Sequence, residues 1–272
     1  MKINVGGKLI DQDSATVELS NSAFLRGDVV KEVFRLVNGA IINWEDHYFN
    51  LMASMRIFRM NIPLSFTPEF FQEQVKLVAE ANQITTGKIT FQVYRLFSTD
   101  LLKAEIDFLV TLETSENAWE LYTDHAEIDV FKDYVVNPSF YSTVPSNRPE
   151  EVIAEIYSLE NDYADVVLLN ANKRMARTLK GAIFVLNDQT IKTPKVEEGV
   201  IKSVLRTNFI QSFKNAETYT LEETEIFPFE IQKAEEVFIL VDGVGILSIT
   251  QNRKKIYQTN KTKEIFNQYF KD

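Results

Sequence analysis

Residues 24–47 read FLRGDVVKEVFRLVNGAIINWEDH, and this stretch decides the fold of the chain. It begins with a turn at Gly27-Asp28 and continues into an apolar strand over 33–37. Asn38-Gly39 follows, the dipeptide most typical of a two-residue β-hairpin. A helix is predicted from about Glu45 to Met60, because its apolar residues recur at helical spacing. Strand and helix therefore alternate within one short stretch, which indicates an α+β fold.

The residues that follow continue this mixture. A second helix is predicted to begin at Thr67-Pro68, where the threonine can cap the helix and the proline occupies the first turn without losing a donor. Ile89, Phe91 and Val93 alternate with polar residues, as the residues of a half-buried strand do. A further strand is predicted over 106–111. These elements predict a sheet with helices beside it.

The C-terminal half shows the same alternation of periods. Helices are predicted from near Pro149 and from about Glu198 to Phe213. The helix at Pro149 carries four apolar residues that we expect to face inward: Val152, Ile153, Ile156 and Leu159. Strands and a last helix are predicted over 165–169, 183–186, 190–192, 237–241, 246–250 and 261–270.

Composition limits the classes of function. The net charge of −10, from 39 acidic and 29 basic residues, argues against nucleic acid and anionic membranes as partners. There is no cysteine, which excludes disulfides and thiolate chemistry. His47 and His125 are too far apart in the chain to suggest a metal site, so no metal is expected. No apolar run approaches the roughly 20 residues of a membrane span, and we expect the protein to be cytoplasmic.

An ordered set of motifs extends from residue 24 to the C-terminal half. The first stretch supplies Gly27-Asp28, Glu32 and His47, and the remaining motifs follow in order: Asn147-Arg148, Gly181-Ala182-Ile183-Phe184, Thr193-Pro194, Gly199 and Arg206. Together they resemble the fold-type IV pyridoxal-phosphate (PLP) enzymes. This group contains branched-chain aminotransferases, D-amino-acid aminotransferases and aminodeoxychorismate lyases.

The resemblance implies an architecture. We expect an α+β chain with a small N-terminal domain over 1–112, a linker over 113–122 without clear periodicity, and a larger C-terminal domain over 123–272 with a barrel-like sheet. It also implies a homodimer with a cleft between the two domains. The activity implied is transamination of an amino acid, or elimination of pyruvate from aminodeoxychorismate, with PLP as cofactor.

The lysine that this family uses is absent from its position. In the family a lysine three residues before the Asn-Arg pair forms a Schiff base with PLP and moves the substrate proton. Here that position holds Val144, or Pro145 if the register shifts by one. Neither side chain can form an imine, and there is no lysine between Lys132 and Lys173.

The acid that pairs with the cofactor ring is also replaced. The family keeps a glutamate beside the pyridine nitrogen, and the position seven residues before Phe184 holds Arg177. Two like charges about 4 Å apart repel by roughly 4 kcal/mol at an effective dielectric constant near 20. A protonated ring nitrogen would therefore be opposed by Arg177. If the family architecture holds, Arg177 points into the cofactor cleft, where a buried arginine needs an anionic partner. The alternative is that it folds outward or pairs with a local carboxylate.

Several phosphate-pocket positions change together. Asn50 stands where the family has an arginine, Ser203 and Leu205 replace a glycine and a threonine, and Leu240 replaces the threonine of the last cofactor loop. Other positions are retained and in the family serve mainly as scaffold or cleft rim: Glu32, His47, Arg95 and Arg206.

Two hypotheses follow from these substitutions. The first is a binding or regulatory protein without PLP, whose degenerate cleft, lined by Asn50, Val144, Arg177 and Leu240, takes a small anionic metabolite or nothing. The second is an active PLP-dependent aminotransferase or 4-amino-4-deoxychorismate lyase in which a displaced lysine supplies the imine. The candidates for that lysine are Lys132, Lys173 and Lys180.

Overall fold

A computed structural model describes residues 1–18 and 20–270 of the chain, so Leu19, Lys271 and Asp272 lie outside the described residues. The chain forms two compact units. Unit 1 consists of Met1–Ala118 together with Val144–Asn147, and unit 2 consists of Trp119–Thr143 and Arg148–Asp272. Among the described residues, no helix is long and apolar enough to cross a membrane.

Unit 1 is built on one antiparallel sheet. Its strands are β1 (Lys2–Val5), β2 (Lys8–Asp11), β3 (Val29–Val37), β4 (Ala40–Ile41), β5 (Gly87–Arg95) and β6 (Ile106–Thr114). They lie in the order β2–β1–β6–β5–β3–β4. Its helices are α1 (Ser22–Arg26), α2 (Trp44–Ile57) and α3 (Pro68–Asn82). The helix α2 packs on β3, and α3 packs on β1 and β6.

The turn, the helix cap and the strand predicted from short sequence motifs in unit 1 are all present. Asn38 and Gly39 have φ of 50° and 81°, the left-handed conformation of a two-residue turn between β3 and β4. The Thr67 side chain accepts a hydrogen bond from the Phe70 N–H (3.2 Å) at the start of α3. The apolar residues of β5 are fully buried beneath the two helices: Ile89, Phe91 and Val93. The predicted hairpin, helix start and strand are therefore confirmed.

The segment Val144–Asn147 belongs to unit 1 although the chain on both sides belongs to unit 2. Val144 is 2% exposed and packs in the apolar core under α2 and α3. The Lys31 N–H on β3 donates to the Pro145 carbonyl (2.9 Å). This segment therefore lies along the part of β3 that β4 does not pair with, and it satisfies an edge group there.

Unit 2 contains more strands, grouped in several sheets. They are β7 (Glu120–Tyr122), β8 (Ile128–Val136), β9 (Asp165–Asn170), β10 (Met175–Thr178), β11 (Ala182–Asn187), β12 (Thr190–Pro194), β13 (Thr220–Thr224), β14 (Glu236–Val241), β15 (Gly245–Ile249), β16 (Gln251–Asn252) and β17 (Lys255–Ile256). One sheet has the order β10–β9–β8, a second has the order β13–β12–β11–β14–β15–β7, and β16 pairs with β17. The helices are α4 (Pro149–Glu160), α5 (Val204–Ser212), α6 (Pro228–Lys233) and α7 (Asn260–Phe270). The predicted linker over 113–122 contains the end of β6 and the whole of β7, and the predicted domain limits stay a prediction.

Two helix predictions in unit 2 need correction. The predicted inward stripe of α4 is wrong, because Val152, Ile153, Ile156 and Leu159 are 54%, 60%, 50% and 70% exposed. The small residues Ala154 and Ser158 are buried instead, and α4 packs on β8 and β9. Helical spacing identifies an apolar face but does not say what covers it, and small residues allow the closest approach to a sheet.

The helix predicted from Glu198 begins later than expected. Glu198 ends a short 3-10 turn, and α5 starts at Val204. Gly199, between them, has φ of 105°, which stops a right-handed helix, and a Cβ atom there would lie 2.6 Å from the Val136 side chain. The glycine is therefore required by its conformation and by its close contact with β8.

Candidate functional site

Unit 1 holds a buried acid between two donors. Glu32 on β3 is 3% exposed, and its Oε1 lies 2.6 Å from His47 Nδ1. Asn50 Nδ2 donates to Glu32 Oε2 (2.8 Å). Because His47 and Asn50 are three residues apart on α2, both side chains reach β3 from the same face. Asn50, predicted to line a degenerate cleft, is thus engaged by Glu32, and the three residues form what we call the Glu32 cluster.

The other retained residues of unit 1 also make scaffold contacts. Arg95 at the end of β5 pairs with Asp28 and donates to the Phe58 carbonyl at the end of α2. Asp28 in turn accepts from the Ser22 hydroxyl (3.2 Å). The contacts join the turn before β3 to the strand and helix beside it.

Arg177 on β10 is buried and ion-paired within unit 2. The residue is 2% exposed, and its guanidinium donates to Glu151 Oε1 (2.7 Å) and to the Gly199 carbonyl (2.6 Å). Its Nε has no hydrogen-bond partner among the described residues. Of the alternatives stated for Arg177, the structure therefore shows pairing with a local carboxylate, which comes from the first turn of α4.

A second arginine approaches the same carboxylate. Arg148 NH1 lies 3.9 Å from Glu151 Oε1, and its NH2 donates to the Tyr141 carbonyl (3.3 Å). Burial, followed by the positive charge of Arg177, lowers the pKa of Arg148 below its usual range. We call Arg148, Glu151 and Arg177 the arginine cluster. It gathers one buried and one half-buried guanidinium group at the N-terminus of one helix, where the helix dipole favours an anion.

Glu150 and Tyr134 border the arginine cluster. The Tyr134 hydroxyl donates to Glu150 Oε1 (3.0 Å). Burial and the Glu150 carboxylate raise the pKa of Tyr134 above its usual range. The phenol therefore stays protonated, and the Glu150 carboxylate is directed toward it.

Asp165 holds the turn that follows the strand of Arg177. It is 1% exposed and accepts from the backbone N–H groups of Leu179 (3.0 Å) and Lys180 (3.1 Å). Burial raises the pKa of Asp165 to about 6, although these hydrogen bonds favour the charged form. The turn, and with it the end of β10, thus depends on a carboxyl group that titrates near neutral pH.

The remaining predicted pocket residues of unit 2 lie around α5. The Ser203 hydroxyl accepts from the Arg206 N–H (3.1 Å) and caps that helix. Leu205 and Leu240 are 4% and 2% exposed and belong to one apolar cluster with aromatic residues of α5 and β14. Arg206 donates to Glu223 Oε1 (2.8 Å) and to the Pro194 carbonyl (2.8 Å). The structure therefore brings Leu205 and Leu240 together in a core, while Arg177 lies in another sheet.

The three candidate lysines lie outside the Glu32 cluster and the arginine cluster. Lys132, Lys173 and Lys180 all have exposed side chains, and Lys173 occupies a turn with φ of 58°. No group of three or more histidine, aspartate or glutamate residues within residues 1–18 and 20–270 could hold a metal ion.

Sequence reasoning missed Glu151. The acidic residues after Pro149 are visible as favourable first-turn residues of a helix, but their role as counterions is not. Glu151 and Arg177 are 26 positions apart, and only the packing of α4 against the sheet brings them to 2.7 Å.

The fold and these clusters define the class of protein. The sequence model for amino-transferase class IV matches residues 30–251, and the chain belongs to this family. The family is that of the PLP-dependent fold-type IV enzymes, as the motif order predicted. The α+β fold-type IV prediction is confirmed by solved structures.

Relatives of the chain are aminotransferases. A D-alanine aminotransferase of Listeria monocytogenes is 38% identical over 96 residues, which is 35% of this chain and 32% of that protein. The chain thus spans about a third of the length of that curated relative. A Methanocaldococcus jannaschii protein assigned as a branched-chain-amino-acid aminotransferase is 24% identical over 286 residues, covering 98% of this chain and 95% of that one.

Solved structures share the fold at low identity. The branched-chain aminotransferase of Thermoproteus uzoniensis with norvaline has a TM-score of 0.85 at 19% identity and covers 99% of this chain and 93% of that one. A Legionella pneumophila protein assigned as a 4-amino-4-deoxychorismate lyase has a TM-score of 0.81 at 16% identity, with 94% of both chains covered.

Proposed function

We propose that this chain is a class IV aminotransferase homologue that has lost PLP catalysis and acts as a binding or regulatory protein for a small anionic metabolite. The observation that carries the proposal is Arg177. It is a buried cation, already paired with Glu151, at the position that the motif order assigns to the acid of the family.

The residues assigned to PLP do not fit that group. PLP needs an amine, and Val144 has an aliphatic side chain that is 2% exposed in an apolar core. Its ring nitrogen needs an acid, and Arg177 would oppose the protonated ring by roughly 4 kcal/mol at about 4 Å. Its phosphate needs donors, but the Asn50 amide is bonded to Glu32 and Leu205 is apolar and buried. Amine, acid and phosphate donor are thus lacking together.

The alternative is an active aminotransferase or 4-amino-4-deoxychorismate lyase that uses PLP through a displaced lysine. The exposed positions of Lys132, Lys173 and Lys180 give this alternative no support, because a catalytic lysine must meet the cofactor in a site that excludes water. Evidence for an active PLP enzyme is therefore the result that would contradict the proposal in the following test.

The test uses the purified full chain and PLP. We expect no absorbance band above 400 nm after PLP is added, and no adduct at one particular lysine after borohydride reduction and peptide mass spectrometry. Any adduct should be spread over exposed lysines. A single reduced adduct that disappears in Lys132→Arg, Lys173→Arg or Lys180→Arg would favour the enzyme instead.

We further propose a homodimer in the cytoplasm without a nucleic-acid or membrane partner. The family resemblance and the acidic net charge of −10 support this. The exposed apolar side of α4 adds to it, since monomers rarely leave a large apolar patch in water. Light scattering during size-exclusion chromatography measures the mass directly, and a monomer at all concentrations would contradict the dimer.

A further inference from the structure

The arginine cluster joins two guanidinium groups to a single carboxylate oxygen. Glu151 Oε1 is 2.7 Å from Arg177 NH2 and 3.9 Å from Arg148 NH1. The side chain of Arg177 is 3% exposed and that of Arg148 is 11% exposed, whereas Glu151 is 22% exposed. The carboxylate is therefore the most exposed member of the cluster.

The pairing within the cluster is incomplete. Arg177 Nε is buried and has no partner among the described residues, so one donor of a buried cation is unused. Leaving such a donor without an acceptor costs the protein free energy of desolvation that no hydrogen bond returns. The neighbouring carboxylate is engaged elsewhere, since Glu150 Oε1 accepts from the Tyr134 hydroxyl. Burial and, second to it, the positive charge of Arg177 both lower the pKa of Arg148.

We infer that the arginine cluster binds the carboxylate group of a small molecule, which adds a second carboxylate beside Glu151. This rests on the proposed function and names the ligand class of that same site. A planar carboxylate matches the fork of a guanidinium group, and charge-assisted hydrogen bonds of this kind are the stronger ones. The site already holds one carboxylate at 2.7 Å from Arg177, which shows that its geometry suits this group.

Glu151 acts as the internal competitor of that ligand. In the free protein its negative charge is the main counterion of Arg177, and a bound carboxylate must approach the same charge. Removing the charge while keeping an acceptor oxygen therefore strengthens ligand binding. This gives the inference a readout that a purely structural ion pair would not produce.

The experiment measures pyruvate binding to the full chain by calorimetry at constant ionic strength. We expect saturable binding to the wild type and about tenfold tighter binding to Glu151→Gln. A factor of ten in Kd corresponds to about 1.4 kcal/mol of binding free energy. The double variant Arg177→Gln/Glu151→Gln keeps the net charge of the wild type and should bind at least tenfold more weakly than Glu151→Gln. Thermal melts check that both variants fold.

Several results would overturn the inference. They are a Glu151→Gln variant that binds pyruvate no tighter than wild type, a double variant that binds as tightly as Glu151→Gln, and an absence of saturable binding to both wild type and Glu151→Gln. A preference for inorganic phosphate over pyruvate would also overturn the carboxylate. The borohydride experiment is independent of this one. A PLP adduct at one particular lysine would contradict the proposed function, whereas a protein that forms no such adduct and does not bind pyruvate would contradict this inference alone.

Discussion

The Glu32 cluster of unit 1 and the arginine cluster of unit 2 balance their charges differently. In the Glu32 cluster one acid receives a donor on each oxygen, from His47 and from Asn50. In the arginine cluster two cations share one oxygen of Glu151, and Arg177 Nε is left without a partner among the described residues. The comparison teaches that burial alone does not mark a functional site. The charge that its own surroundings leave incompletely paired is the better indication.

Glu151→Ala should have the largest effect on stability. It removes the counterion of a guanidinium that is 2% exposed, and breaking a buried pair from one side costs about 3 kcal/mol of unfolding free energy. Urea denaturation measures the change. Glu155→Ala, on the exposed side of the same helix, is the matched control and should change the free energy by less than about 0.5 kcal/mol. Equal effects of the two variants would mean that the Arg177 pair contributes nothing.

Glu32→Ala should cost less, about 2 kcal/mol. It leaves two donors, His47 Nδ1 and Asn50 Nδ2, without their acceptor. Unlike Glu151→Ala, it does not remove the counterion of a buried arginine. Glu32→Gln keeps one oxygen acceptor and should fall between the wild type and Glu32→Ala. If Glu32→Ala destabilised the protein more than Glu151→Ala, the proposed contrast between the two clusters would be wrong.

The pH dependence of stability should come next in size. The pKa of Asp165 is about 6 in the folded protein against an ordinary 3.8, so the folded state binds this proton at a higher pH than the unfolded state. Unfolding free energy therefore rises as pH falls, by about 1 kcal/mol between about pH 7 and about pH 5. In Asp165→Asn this gain should be absent. A wild type and variant with parallel pH profiles would show that Asp165 does not titrate in this range.

The smallest effect is expected on the exposed side of α4. Ile153→Ser with Leu159→Ser replaces side chains that are 60% and 70% exposed, so unfolding free energy in dilute solution should change by less than about 0.5 kcal/mol. The mass of the variant in solution, measured by light scattering, shows whether the protein associates through this side of α4. A loss of several kcal/mol in a monomer would show that these residues pack inside unit 2 after all.

Local signals in the sequence predicted most of the fold. The Asn38-Gly39 turn, the Thr67 cap and the alternation of β5 each depend on neighbouring residues, and each is confirmed. The predicted orientation of α4 was wrong because it depends on which residues of the helix contact the sheet. Ala154 and Ser158 are the buried ones, and their small side chains allow close packing. Turns, helix caps and strand alternation can be predicted from neighbouring residues in the sequence, whereas the side of a helix that packs on a sheet cannot.

The candidate site was predictable in part. Motif order led to Arg177, and the expectation that a buried arginine needs an anion was sound. The identity of that anion, Glu151, depends on a contact across 26 positions, which periodicity cannot show. Nor could the sequence show that Leu205 and Leu240 share an apolar core.

The return of Val144–Asn147 to unit 1 has a consequence for protein synthesis. The first 118 residues leave the ribosome well before Val144, which packs in their core, and before Pro145, whose carbonyl accepts from Lys31. Until then the nascent chain exposes an unpaired edge of β3, and such edges invite pairing with other chains. An N-terminal fragment ending at residue 118 would keep that exposed edge permanently, so the two units cannot be separated by one cut without leaving the first one incomplete.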